Sequence, residues 1–216
     1  MLGLMIIILG CSLIIYVTSK DVLYWLYQWL KTKFYYVYYS KQGLDFWPQQ
    51  TAYHNNENPL YITSPFGELA PYLKTLDAIH TKTFIDCGCG KGNILMEAGQ
   101  FPFKALAGIE LDPNMMAICK TNLETLRLQA KTTLYCGSVN DYEQTIAQFD
   151  IIYCYGVYQK DALESLCHNI KNQPVSKILI YRNLSDSSPL YNAGFKLTKL
   201  FKKSNLADYT LWVFRN

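Results

Sequence analysis

The stretch FIDCGCGKGNIL, residues 84–95, sets a carboxylate, Asp86, at the end of an apolar run and follows it with Gly88, Gly90 and Gly92. A turn of this kind needs backbone angles that side chains disfavour, and it lets a ligand reach the main chain without interference from Cβ atoms. The acid narrows the ligand. Dinucleotide turns use the spacing GxGxxG and usually lack such an acid, because they bring a pyrophosphate to a helix N-terminus. Here the spacing is GxGxG with the carboxylate two residues before the first glycine, which suits a ligand with cationic groups and no phosphate. Glu110 closes the next apolar run, where a carboxylate can accept hydrogen bonds from a pair of ribose hydroxyls. That second acid does not discriminate by itself, since dehydrogenases place one similarly.

Other chemistries find less support. Seven cysteines and three histidines are present, but Cys87 and Cys89 have no second close-spaced Cys or His pair to complete a tetrahedral metal site. We read them as small residues packed beside the glycine turn, and expect no metal. Six of the cysteines fall in strand-like or helix-like stretches, the usage of a reducing compartment. The net charge of +3 is dispersed, and the pair Lys202 and Lys203 is the nearest approach to a basic run, so a nucleic-acid partner is disfavoured.

The elements that must hold these residues alternate. Residues 83–86, 105–110, 132–136, 150–155 and 177–182 read as buried strands, and residues 93–101, 113–128, 142–147 and 160–170 as helices between them. Asp112 followed by Pro113 is a helix start, a capping side chain and then a residue whose missing N–H is no loss there. The alternation predicts a Rossmann-like, doubly wound, mostly parallel α/β sheet covered on both faces. Residues 195–201 and 209–214 are strand-like with no room for a helix between them, so a C-terminal antiparallel hairpin should complete a seven-stranded sheet.

With these features residues 61–216 resemble the class I S-adenosylmethionine-dependent methyltransferase superfamily. The resemblance rests on Asp86, Gly88, Gly90 and Gly92, on Glu110, and on Ser138 and Val139 after the third strand; it implies that these residues bind S-adenosylmethionine, whose ammonium and sulfonium fit the acid beside the turn. The family often has an acid at the position of Ser138, to contact the adenine amino group; here Ser138 or Asp141 serves. In this superfamily the loop after the fourth strand faces the methyl group. Residues 153–158 there read Tyr-Cys-Tyr-Gly-Val-Tyr, so Tyr155 and Tyr158 are the candidate catalytic residues, with ordinary packing as the alternative for rings in a chain of 18 tyrosines. The loop is not the Asn-Pro-Pro-Tyr or Asp-Pro-Pro-Tyr signature of base amino methylation. Residues 61–66 look like the stretch that closes over the cofactor in seven-strand protein lysine methyltransferases, which makes a protein lysine the leading acceptor. A lipid or small-molecule acceptor, and a non-catalytic S-adenosylmethionine-binding scaffold, are the alternatives.

The N-terminus carries a different signal. Residues 1–19 contain no charge and are about as long as a helix needs to cross a bilayer, roughly twenty residues. We expect a transmembrane helix there, with a cleaved signal peptide or a buried core helix as alternatives. Residues 20–42 interleave aromatic rings with Lys20, Lys31, Lys33 and Lys41, the mixture of a juxtamembrane helix. Because the positive charge follows the apolar run, the domain is expected on the cytoplasmic side of a membrane. Residues 43–59 read as a linker or lid, and residues 60–216 as the catalytic domain.

Overall fold

The computed structural model describes residues 4–6, 15–17, 20–48, 63–156, 160–182, 184, 186–202 and 210–216. Strands β3 (Thr83–Cys87), β4 (Ala105–Glu110), β5 (Thr132–Cys136), β6 (Ile151–Tyr155), β7 (Ile178–Arg182), β8 (Lys196–Lys202) and β9 (Thr210–Arg215) form one seven-stranded sheet in the order β5-β4-β3-β6-β7-β9-β8. The first five are parallel, whereas β9 runs antiparallel to both β7 and β8. The terminal hairpin therefore lies at one edge of the sheet, as the missing helix between its strands requires.

Alternation along each strand sends neighbouring side chains to opposite faces. Phe84, Leu106, Ile151, Ile180 and Val213 pack on one side with α2 (Ala70–Leu73), α3 (Asn93–Gly99) and α4 (Pro113–Thr125). Ile85, Ala107, Ile152, Leu179 and Phe214 face α5 (Glu143–Ile146), α6 (Lys160–Lys171) and α7 (Ser188–Asn192). Both faces are covered, which is why the central strands read as unbroken apolar runs. Asp112 caps α4 through its side chain, accepting from the Asn114 N–H at 2.8 Å.

Helix α1 (Lys20–Ser40) lays Tyr36 into a third cluster with Leu44, Phe46, Phe66 and Met96. Residues 44 and 46 are thus packed against the domain; residues 49–59 of the expected linker lie outside the described residues.

The described residues within 1–19 differ from the transmembrane helix expected there. Within that stretch the described residues form two short strands, β1 (Leu4–Ile6) and β2 (Ile15–Val17), paired antiparallel with Leu4 opposite Val17 and Ile6 opposite Ile15. Stiff β-branched side chains at Ile6, Ile15 and Val17 suit a strand, and cross-strand pairing satisfies backbone groups that a helix would otherwise satisfy internally. Among the described residues no helix is long and apolar enough to cross a membrane. Helix α1 has the length, but it carries Lys20, Asp21, Lys31 and Lys33.

Candidate active site

The strand order reverses between β3 and β6, and ligands of open α/β sheets bind outside the carboxyl ends of strands at such a point. Asp86 and Tyr153 stand opposite each other in these two strands. Immediately after β3, Gly88, Gly90 and Gly92 all take left-handed backbone angles, with φ of 80°, 52° and 85°. The turn is tied down by its own main chain: the Gly88 and Cys89 N–H groups both donate to the Ile109 carbonyl, at 2.9 and 2.8 Å. Gly92 has a second reason to lack a side chain, since a Cβ there would lie 2.8 Å from Cys119 Sγ. Gly108 on β4 is a related requirement that the motif does not reveal, because a Cβ at that position would meet Cys89 Sγ at 2.8 Å. Cys87 and Cys89 are buried free thiols packed at the turn.

Glu110 reaches across to this turn. Its Oε2 accepts from the Gly90 N–H at 2.8 Å, and its Oε1 accepts from the Asp112 N–H at 2.9 Å. Each carboxylate oxygen has a second lone pair, so the group can hold the turn and still accept from ligand hydroxyls. Burial raises its pKa, while these backbone hydrogen bonds oppose the shift. Asp86 is only 3% exposed, and burial, reinforced by the nearby Glu110 charge, holds its carboxyl well above the usual range. A paired acid site of this kind is electrostatically incomplete without a cation. This pair of acceptors therefore fits a ligand that donates from an ammonium and adjacent hydroxyls, which is what S-adenosylmethionine presents. Replacing Glu110 by Ala should weaken S-adenosylmethionine binding by about 1.5–3 kcal/mol, the range for a charge-assisted hydrogen bond. Isothermal titration of the folded variant measures this, and unchanged affinity would remove Glu110 from the site.

At the neighbouring strand end, the Gly137 N–H donates to the Glu110 carbonyl at 2.9 Å. Ser138 follows as the cap of a single turn of 3-10 helix, Val139–Tyr142, its hydroxyl accepting from the Asn140 N–H at 3.3 Å. Val139 is half-buried against the core below the turn, and Asp141 is exposed. Both candidates for the adenine contact thus lie just beyond the carboxyl end of β5.

Several residues that complete the crevice were not singled out by the motif's spacing. Lys91, inside the glycine turn, is 1% exposed and places Nζ 2.8 Å from both Asp45 Oδ2 and the Trp47 carbonyl. Asn122 of α4 bridges the same two segments, with Nδ2 donating to the carbonyls of Asp45 and Lys91. Residues 63–70 form a strap fixed at successive points. The hydroxyls of Tyr36 and Thr63 are 2.7 Å apart, and Ser64 Oγ lies 3.0 Å from the Tyr153 hydroxyl. Asn93 Nδ2 donates to the Ser64 carbonyl at 2.8 Å, and the Glu97 carboxylate accepts from the backbone N–H groups of Gly67 and Ala70. Glu68 then pairs with buried Arg182 at the end of β7.

The tyrosines expected near the reacting group divide. Tyr155, at the end of β6, is half-buried, and the Arg182 guanidinium lies 4.8 Å from its ring centre. Tyr158 lies outside the described residues. Tyr153, two residues before Tyr155, is fully buried, and burial raises its pKa well above that of a free phenol. It belongs to the core and the strap, a role that its place in an apolar strand does not distinguish from simple packing. Among the described residues no group of three or more His, Cys, Asp or Glu side chains could hold a metal ion.

Residues 84–173 match the model of the methyltransferase domain family. A curated relative, an uncharacterized protein of Rickettsia prowazekii (strain Madrid E), is 29% identical over 97 residues. That match covers 41% of this chain and 38% of the relative, so the chain spans well under half of the relative's length. Among solved structures, an RNA methyltransferase from Salinibacter ruber in complex with S-adenosyl-L-homocysteine aligns with a TM-score of 0.57 at 14% identity, covering 71% of this chain and 93% of that one. A precorrin-6y C5,15-methyltransferase from Geobacter metallireducens GS-15 aligns with a TM-score of 0.56 at 14% identity, covering 76% and 94%. Residues 84–173 thus match a methyltransferase domain, and the sheet that holds them has the fold of these methyltransferase structures.

Proposed function

We propose that this chain transfers a methyl group from S-adenosylmethionine to the side-chain amine of a protein lysine at the cytoplasmic face of a membrane. The observation that carries the acceptor is the strap of residues 63–70, which joins the cofactor turn to the far strand ends. Asn93 holds its start, Glu97 its middle, and Glu68 meets Arg182 beside Tyr155. At the carboxyl ends of β6 and β7 the half-buried ring of Tyr155 packs on the Glu68–Arg182 pair and gives an aromatic edge against which the apolar stem of a lysine can lie. The location is supported by the order of apolar and basic segments along the chain and by thiols that are free and mostly buried.

When bound, S-adenosylmethionine would supply a sulfonium methyl, to which the lone pair of a neutral lysine amine bonds in line as the methyl–sulfur bond breaks, with S-adenosylhomocysteine as the leaving group and the nitrogen's proton lost to solvent. The chain's own residues position and shield. The glycine turn admits the ligand to the main chain, the Glu110 lone pairs left over by Gly90 and Asp112 accept from hydroxyls, and Asp86 balances a cation. The Ser64–Tyr153 contact closes the crevice between strap and sheet and excludes water, while Tyr155 forms the edge that an acceptor meets.

Incubating the full chain with membranes and methyl-labelled S-adenosylmethionine, followed by mass spectrometry, tests the proposal. Label on lysine of a protein is the expected result. Label in a lipid or a small molecule would replace the acceptor class, and cofactor binding without any transferred label would favour a scaffold that has kept the fold.

A further inference from the structure

Helix α1 has two apolar faces, and the domain covers one of them. Tyr35, Tyr36 and Tyr39 turn inward, their ring centres 5.2–5.7 Å from that of Phe66. On the opposite side Tyr27, Leu30, Phe34, Val37 and Tyr38 are all exposed, Phe34 by 64%. Their spacing of three and four residues puts them on one continuous stripe. Along it, the rings of Phe34 and Tyr38 stack with centres 6.0 Å apart. A stripe of large apolar side chains on a soluble surface marks a contact with something else.

The charges around the stripe select its partner. Lys31 and Lys41 flank it, and Lys33 Nζ sits 5.4 Å from the ring centre of Trp47. No acid occurs between Asp21 and Asp45, and Asp45 itself is paired with Lys91. Tyrosine, phenylalanine and leucine between lysines match the boundary of an anionic bilayer, where rings sit at headgroup depth and ammonium groups meet lipid phosphates. A second copy of the chain fits less well, because a two-fold contact through this stripe would bring like-charged lysines together. In sequence, the uncharged residues 1–19 come immediately before the same helix.

We propose that the outer face of α1 lies in the headgroup region of an anionic membrane, parallel to the surface. The inference gives the membrane location proposed above a defined surface, and it stands apart from the identity of the methyl acceptor. The inner face of the helix contacts Phe66 in the strap, and Tyr36 holds Thr63. Docking of α1 therefore presents the strap and crevice to acceptors confined to that membrane.

Hydroxyl-radical footprinting of the full chain, with and without vesicles of phosphatidylcholine mixed with phosphatidylserine, tests this without any methyl transfer. Tyr27, Phe34 and Tyr38 should be oxidised several-fold more slowly on vesicles, while Tyr191 on α7, as exposed as Tyr38, keeps its rate. Reversing Lys31 and Lys41 together to Glu should lower vesicle binding by about tenfold or more, each lysine near an anionic surface contributing roughly a factor of five, with no comparable loss on phosphatidylcholine alone. Equal oxidation with and without vesicles would overturn the proposal. So would protection that appears without lipid as protein concentration rises, which would assign the face to a second copy.

Discussion

Replacing Arg182 by Met should destabilise the domain by about 3–5 kcal/mol, the range for breaking a buried ion pair from one side. Arg182 and its partner Glu68 are almost wholly shielded, with side-chain exposures of 1% and 6%. The methionine would leave a carboxylate in a site that excludes water, where the charge is strongly disfavoured and the strap loses its attachment to β7. The double variant Glu68→Gln, Arg182→Met removes the stranded charge and should recover most of the loss. Urea denaturation measures both. A single variant within about 0.5 kcal/mol of wild type, as for an ordinary surface change, would mean that the pair does not hold the strap.

Asp86→Asn should separate stability from binding. The carboxyl is raised by burial and, after that, by Glu110, so its ionised form is disfavoured in the cofactor-free fold. The sign follows from linkage: with a folded pKa above that of the unfolded chain, the stability contribution is present below the unfolded value and is lost as pH rises through the folded value. At neutral pH the native acid is therefore a burden that Asn removes, and the cofactor-free melting temperature should rise by a few degrees, roughly 2–4 °C per kcal/mol for a chain of this size. Cofactor affinity should move the other way, by about 2–4 kcal/mol, because a buried cation of the ligand loses its counter-charge. For the wild type, affinity should fall as pH is lowered into the range where Asp86 takes up a proton, whereas the Asn variant should lack that dependence. Calorimetric titration across pH and a thermal melt give both readings; an Asn variant that binds like wild type would exclude Asp86 from the cation site.

The sequence alone determined most of the sheet and the bottom of the crevice. The order of strands and helices, the capping of α4 by Asp112 and the terminal hairpin follow from periodicity and turn chemistry, which act over a few residues. The convergence of Asp86, the three glycines and Glu110 was legible for the same reason: strand, turn and helix are consecutive, and the ends of adjacent parallel strands are neighbours. The apolar run at the N-terminus shows the limit of that reasoning. Hydropathy measures a preference for leaving water and not the secondary structure adopted, and strand pairing in β1 and β2 is set by a partner several residues away.

Only the tertiary structure decided the upper wall. Lys91 meets Asp45 across 46 positions in sequence and Arg182 meets Glu68 across 114; the glycine motif that contains Lys91 does not specify its partner and Arg182 lies in no motif, so nothing local announces either pairing. Gly108 looks like any small strand residue until Cys89 is seen beneath it. The two faces of α1 are both aromatic in sequence, and only packing against Phe66 shows which face the domain uses and which it leaves exposed. Local chemistry names the groups that can bind a ligand; the enclosure that makes their charges matter depends on burial, which is a property of distant segments brought together.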